Sequence, residues 1–204
     1  SIDGGSLKYD YFSPNEKNRL SIFASAANTD RDSYYGPGND PLKAYGKTTD
    51  LIAMGGAQYV HTFDKCLFMP SDLTAGLEYN RDRLKDNMWG YDRHTDQTVN
   101  IYSAFLQNEW KNERWSILVG GRLDKHNMVD NIIFSPRANL RFNPTQNINL
   151  RLSYSSGFRA PQAFDEDMHI ENVGGTVAMI ERAKNLKEEK SQSFSASADI
   201  YHRF

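Results

Sequence analysis

Apolar and polar residues alternate with a period of two along most of this chain, and no uninterrupted apolar run exceeds the four residues of Leu51–Met54. Over Ile148–Arg159, the residues Ile148, Leu150, Leu152, Tyr154 and Phe158 share one parity, while Asn149, Arg151, Ser153, Ser155 and Arg159 hold the other. The stretch Phe134–Phe142 repeats the pattern, with Phe134, Pro136, Ala138, Leu140 and Phe142 set against Ser135, Arg137, Asn139 and Arg141. Successive side chains of a strand point to opposite faces, whereas a helix repeats its apolar positions every three or four residues. Both stretches therefore read as strands with one apolar and one polar face. Between them, "NPTQN" (143–147) supplies a proline of fixed φ and asparagines that bond their own backbone, which predicts a turn and makes the pair a hairpin.

The same parity extends in both directions. Leu7, Tyr9 and Tyr11 oppose Lys8 and Asp10; Leu20, Ile22, Ala24 and Ala26 oppose Ser21 and Ser25, with Phe23 as an exception. Trp115, Ile117, Val119 and Leu123 oppose Ser116, Arg122 and Asp124, and Phe194, Ala196, Ala198 and Ile200 oppose Ser193, Ser195, Ser197 and Asp199. Weaker strands are expected at about 49–63, 73–84 and 98–110, which gives an all-β, antiparallel up-and-down meander of about nine strands. The expected connections fall into two classes. Short ones lie at 13–18, 64–72, 111–114 and 143–147; long ones lie at 28–48, 85–97 and 160–189, with the compact 125–131 as the exception. Short turns at one end and long loops at the other is the layout of an outer-membrane barrel wall.

A membrane helix needs roughly 20 consecutive apolar residues, so no helix of this chain spans a bilayer. A barrel strand shows lipid only half of its residues. That half must be apolar, because a charge at the midplane costs about 2–4 kcal/mol. The other half looks into a wet lumen, where Arg122, Asp124, Arg137, Arg141, Arg151 and Arg159 can be solvated or paired. Tyr11, Phe12, Phe63, Phe68, Trp110, Trp115 and Phe142 all fall near the short turns, where an interfacial aromatic girdle would place them. The alternative is a soluble β-rich carbohydrate-binding or adhesion module. It would show the same alternation but needs an opposed apolar layer, which nothing else in the chain supplies.

A formal net charge of −2 removes the electrostatic case for a nucleic-acid partner. Cys66 is the single cysteine, so no intrachain disulfide forms, and the opening "SIDGGSLKYD" carries neither the basic nor the apolar region of a signal peptide. There is no nucleophile elbow, no phosphate-binding glycine loop and no His-Glu-x-x-His, so neither an enzyme nor a resident cofactor is expected. Asp165, Glu166, Asp167, His169 and Glu171 form a dense polar cluster. It lacks the glycine and ligand spacing of a calcium loop, and reads as a solvated extracellular loop rather than a metal centre. The loop 28–46 sets Tyr34, Tyr35 and Tyr45 among Asp30, Arg31, Asp32 and Asp40, a composition suited to capturing a bulky polar ligand at a barrel mouth. "VAMIERAKNLKEE" (177–189) is rich in helix formers and is expected to add a turn or two of helix over the rim.

"SPRANLRFNPTQNINLRLSYSSGFRAPQAFDED" (135–167) resembles the barrel wall of TonB-dependent outer-membrane receptors, in which a Ser-Pro-Arg strand, an Asn-Pro turn and a Gly-Phe-Arg-Ala-Pro strand end recur in this order. "YSAFLQNEWKNERWSILVGGRLDKH" (102–126) is similar to another hairpin of that family, and "LKEEKSQSFSASADIYH" (186–202) to the strand that re-enters the barrel after a long loop. The wording resembles that of the Bacteroidetes branch of the family. The resemblance implies a receptor in the Gram-negative outer membrane that imports a metal chelate, haem, cobalamin or a glycan, driven by TonB acting on a plug inside a barrel of 22 strands. The lumen-facing arginines would then meet the plug, and Tyr34, Tyr35, Tyr45, Asp165, Glu166, Asp167 and His169 would meet the ligand. It also implies that the chain is a single middle portion of the barrel, without plug, TonB box or closing strands. Nine strands cannot close such a barrel, so the isolated portion is expected to associate through its edges or its apolar face.

Overall fold

The computed structural model describes residues 1–34, 45–89, 93–162, 171–173, 176–178 and 186–201. Its strands are β1 (Ile2–Phe12), β2 (Asn18–Tyr34), β3 (Tyr45–Cys66), β4 (Met69–Met88), β5 (Arg93–Lys111), β6 (Trp115–His126), β7 (Ile133–Thr145), β8 (Ile148–Arg159), β9 (Glu171–Val173), β10 (Thr176–Ala178) and β11 (Glu189–Ile200). Nine of them form one sheet in the order β1-β2-β3-β4-β5-β6-β7-β8-β11, and β9 and β10 form a small hairpin of their own. Every pairing is antiparallel. The expected meander of nine strands is the observed one.

Following cross-strand partners from strand to strand turns the parity of the sequence into rows. One row runs Tyr9–Ile22–Ala57–Leu77–Ala104–Leu123–Phe134, and its neighbour runs Tyr11–Leu20–Tyr59–Ala75–Leu106–Gly121–Pro136. These side chains are apolar and open to the surroundings: Leu77 is 65% exposed, Leu106 56% and Phe134 61%. The opposite face carries the row Asp10–Ser21–Gln58–Gly76–Phe105–Arg122–Ser135 and, one step up, Lys8–Phe23–Gly56–Glu78–Ser103–Asp124–Ile133. So the buried face is polar and the exposed face is apolar, the inverse of a soluble sheet and the arrangement that lipid requires.

Phe23, the exception in the alternation, belongs to the polar face. Its ring lies over Gly56, directly across the strand pair, with Cζ 2.8 Å from where a Cβ of Gly56 would stand. Phe105 covers Gly76 in the same way, at 2.3 Å. Each glycine is needed because the neighbouring ring occupies the volume of its missing side chain.

Near the short turns, Phe68 stacks on Trp110 at 5.5 Å and Trp115 on Phe142 at 4.2 Å, while the Trp110 indole donates to the Cys66 carbonyl at 3.0 Å. Four of the seven aromatic side chains expected at this end are thus assembled in two stacked pairs.

Four expectations need correction. The long connections expected at 28–48 and 85–97 are largely strand: β2 reaches Tyr34, β3 begins at Tyr45, β4 reaches Met88 and β5 begins at Arg93. Above the apolar band both faces of a strand meet polar surroundings, so the hydrophobic alternation that marks a strand in sequence disappears while the backbone ladder continues. The turn expected at 64–72 contracts to Leu67 and Phe68, with Leu67 at φ 63° and an irregular register between Phe63 and Cys66. The turn expected at 143–147 contracts to Gln146 and Asn147, with the register shifting between Phe142 and Thr145, so that Pro144 sits in a bulge rather than in the loop. Val177 and Ala178 lie in β10, paired with β9, rather than in a helix, and 179–185 of the expected helical stretch lie outside the described residues.

Candidate functional site

On the polar face, the strands bring three groups of side chains together above the middle of the sheet. Arg122 on β6 is the hub of the first. Its Nε donates to Asp124 Oδ1 at 2.8 Å, one Nη to Glu78 Oε2 at 2.5 Å and the other to Ser103 Oγ at 2.7 Å. The Ser103 hydroxyl in turn donates to Asp124 Oδ1 at 2.6 Å. Glu78, Ser103 and Asp124 are successive members of one row on β4, β5 and β6, and Arg122 sits one step below them. The guanidinium fork therefore satisfies two carboxylates and a hydroxyl at once, which a lysine could not do.

A second group lies nearer the long-loop end. Asp86, fully buried, receives Arg93 Nη2 at 2.9 Å and the Thr48 hydroxyl at 2.6 Å, and Arg31 reaches Thr48 Oγ1 at 3.4 Å. Leu84, Met88, Gln97 and Val99 are buried around it.

The third group is centred on His126, the last residue of β6, which stands above the apolar band. The Met128 amide donates to its Nδ1 at 3.0 Å, so Nδ1 is unprotonated and Nε2–H donates to Gln162 Oε1 at 3.0 Å. Burial holds the imidazole below its usual pKa, against the Gln162 contact and the Asp124 charge. Phe158 meets the ring edge-on at 6.5 Å and packs against buried Val129, Ile133 and Ala160. His126 thus fastens the chain leaving β8 to the top of β6.

Towards the short turns the polar face changes character. Arg141 stands directly opposite Arg151, which pairs with Asp199 at 3.3 Å. Two cations facing each other across a strand pair repel, and among the described residues no carboxylate lies within ion-pair distance of Arg137 or Arg141. Arg137 and Arg122 both line an open concavity of about 430 Å³ floored by Gln58, Glu78, Gln107 and Ser155. Its lining mixes these polar side chains with Phe105, Gly121 and Pro136.

Of the residues expected to face the lumen, Arg122, Asp124, Arg137, Arg141 and Arg151 share the polar face by register, and Arg159 stands opposite Glu189 at the top of β8. Of the expected ligand residues, Tyr34 and Tyr45 are direct cross-strand partners with ring centroids 5.0 Å apart, both more than half exposed at the far end of β2 and β3. Tyr35, Asp165, Glu166, Asp167 and His169 lie outside the described residues. Glu78, Ser103, Asp86, Arg93, His126 and Gln162 were not singled out in the sequence. Their partners are separated by up to 44 positions in the chain and become neighbours only once the register is fixed.

A family model described as "TonB dependent receptor-like, beta-barrel" matches residues 2–204. Among solved structures, the chain is similar to the siderophore receptor PirA from Acinetobacter baumannii, with 16% identity, a TM-score of 0.76 and coverage of 98% of this chain and 32% of that one. It is similar also to a G324V mutant of the ferric enterobactin receptor PfeA from Pseudomonas aeruginosa, with 17% identity, a TM-score of 0.74 and coverage of 98% and 32%. The ferric citrate transporter FecA in its unliganded form aligns with 14% identity, a TM-score of 0.65 and coverage of 97% and 32%. At these identities the likeness carries the fold alone, and the chain spans about a third of each of these structures. None of the curated proteins matches it. With a nine-stranded wall apolar outside and polar inside, and a family match over nearly its whole length, the chain belongs to the TonB-dependent receptor-like β-barrel family.

Proposed function

We propose that this chain is part of the wall of an outer-membrane receptor that captures a ferric chelate or a comparable scarce small molecule and admits it without covalent chemistry. The observation that carries the reading is the inversion of the sheet: an exposed apolar face opposite a face of linked carboxylates, guanidinium groups and hydroxyls. The first face suits lipid. The second suits a polar domain or a polar solute in the lumen. On this reading the plug packs on the lower polar face around Arg137, Arg141 and Arg151, and TonB acts through the plug.

The ligand would be met at the far ends of the long strands, by Tyr34, Tyr35 and Tyr45 and by the cluster Asp165, Glu166, Asp167 and His169. Siderophore and ferric-chelate receptors recur among the structural relatives, which favours an iron chelate over haem, cobalamin or a glycan. The wording of the hairpin at 135–161 supports an origin in the Bacteroidetes branch. The test is uptake by cells carrying the intact protein as their sole receptor, supplied with labelled ferric catecholate, ferric citrate, haem, cobalamin or oligosaccharide, with and without TonB. TonB-dependent accumulation of a ferric chelate is expected. Uptake that ignores TonB would overturn the transport reading, and uptake of cobalamin or glycan alone would overturn the choice of ligand.

A further inference from the structure

The outward face changes chemistry abruptly within one strand. Going up β4, every second residue points outward: Leu73, Ala75, Leu77 and Tyr79 are followed by Arg81, Arg83 and Lys85. On the opposite parity, Leu84 between Arg83 and Lys85 and Asp86 just above Lys85 are buried, which fixes the direction of the cations. From the row Phe63–Ser71–Trp110–Ile117 to the row Gly55–Tyr79–Tyr102–Lys125 there are eight residues of β4. That is about 27 Å along the strand at ~3.4 Å per residue, or about 20 Å of height at the tilt of ~40° usual in barrels. Counted from the lowest pair, Cys66–Met69, the height to Tyr79 is about 26 Å, which matches the ~25 Å apolar band of a membrane barrel, so Arg81 emerges at the level of the outer headgroups. Tyr79 marks the same level: its ring meets Tyr102 at 4.9 Å, and its hydroxyl points up the sheet and donates to Asn100 Oδ1 at 2.7 Å. A tyrosine at the lipid–water boundary takes this posture, body in the apolar layer and hydroxyl above it.

We propose that Arg81 and Arg83, with Lys85 above them, form an outward-facing seat for the phosphate groups of anionic lipid headgroups in the outer leaflet. Arg81 faces Ala53 and Asn100 across its two strand pairs, and Arg83 faces Leu51 and Thr98. None of these is acidic, so the two cations nearest the lipid are not neutralised by their cross-strand neighbours. Arg83 Nε is buried without a hydrogen-bond partner. Asp96 approaches Arg83 at 3.8 Å and Lys85 at 3.6 Å, but both contacts are long and half-exposed, and such pairs yield readily to a better acceptor. Of the other strand carboxylates of this face among the described residues, Asp30 and Asp32 stand across from Thr49 and Lys47, further up the sheet, and Asp3 lies in the Arg83 row but three strands away on β1. Two arginines on alternate residues, about 7 Å apart along the backbone, can each grip one phosphate through two N–H groups, or share a doubly phosphorylated headgroup. The seat lies on the wall opposite the lumen and has no part in holding the transported solute.

This inference rests on the outer-membrane reading, and its test separates the two. The full-length protein is purified in detergent and titrated, with native mass spectrometry as readout, with diphosphoryl lipid A and with the same acylated disaccharide stripped of phosphate. Preferential retention of the phosphorylated form is expected. Arg81→Gln with Arg83→Gln should weaken it about thirtyfold, each cation near a membrane surface contributing about a factor of five, with the stripped lipid unaffected. Arg137→Gln on the inner face serves as the control and should change neither, and heat-modifiable gel mobility confirms folding of each variant. Inorganic pyrophosphate at the same concentration should not displace the lipid; displacement would make the seat one for free phosphate. Equal retention of both lipids, or an unchanged double variant, overturns the seat while leaving the membrane reading intact. A protein that stays monodisperse without detergent overturns both.

Discussion

Arg122 is the side chain whose removal tests the inner face most directly. In Arg122→Ala the Glu78 and Asp124 carboxylates lose their common counter-ion, and Ser103 loses one of its two contacts. Breaking a fully buried ion pair costs about 3–5 kcal/mol because it leaves a desolvated charge behind. Here the environment is mixed: the Asp124 side chain is 5% exposed, Glu78 22% and Arg122 34%. Glu78 can recover hydration and Asp124 keeps the Ser103 hydroxyl. Discounting for this, the loss comes to about 2–3 kcal/mol.

The assay is reversible urea unfolding of the full-length protein in lipid vesicles, with a double-mutant cycle between Arg122→Ala and Glu78→Ala. A coupling of about 1–2 kcal/mol is expected for a charged, hydrogen-bonded pair in this setting. The triple replacement Arg122→Met, Glu78→Gln, Asp124→Asn should recover most of the loss, since it leaves no unpaired charge. A loss below about 0.5 kcal/mol for Arg122→Ala, the range of an ordinary surface change, would refute the claim that the network organises this face. So would strict additivity in the cycle.

Three further outcomes follow from the rows of the sheet. Leu77→Arg, on the exposed apolar face, should cost about 2–4 kcal/mol in vesicles, whereas Gln107→Arg on the polar face should stay within about 1 kcal/mol; equal costs would mean that the faces are misassigned. Gly76→Ala should destabilise by about 1–3 kcal/mol by driving a methyl into the Phe105 ring, and Phe105→Leu in the same chain should return most of it; thermal unfolding reads both. His126 is held neutral by burial, so its folded pKa lies below the unfolded value near 6.5. Its contribution is therefore complete above that value and is lost as the pH falls from there towards the depressed folded pKa. Amide exchange at residues 160–162 should accelerate over that range, and His126→Gln should abolish the acceleration.

The hairpin at 134–154 was legible because lipid imposes a strict rule on it. Each outward residue there has to be apolar and each inward one is free to be polar, so parity alone gave strand, face and partner. The same rule explains where the reading stopped. Asn28–Tyr34 and Lys85–Met88 belong to strands of 17 and 20 residues, but above the apolar band no solvent enforces alternation, and their charged residues look like loop. Pro144 was misplaced for a related reason. A proline between two strands suggests a turn, and only the shifted register at Phe142–Thr145 shows that a bulge accommodates it.

The polar side chains were legible as a class and not as partners. Arg122 was visible as an inward cation, yet its acceptors lie two residues, one strand and two strands away, and no local spacing links position 122 to position 78. His126 carried no signal at all, because a lone histidine at the end of a strand gains meaning only when Gln162 returns beside it. Parity nonetheless contained one further fact that the inner face does not need. A lumen requires polarity only on its own side of the sheet, so Arg81 and Arg83, alternate residues directed outward, have no role in lining it. Two guanidinium groups placed just beyond an apolar band are stable there only if water or an anion meets them. The level at which they begin coincides with the Tyr79–Tyr102 pair, so the strand that shows where the lipid ends is also the strand that supplies the charge to hold its headgroups.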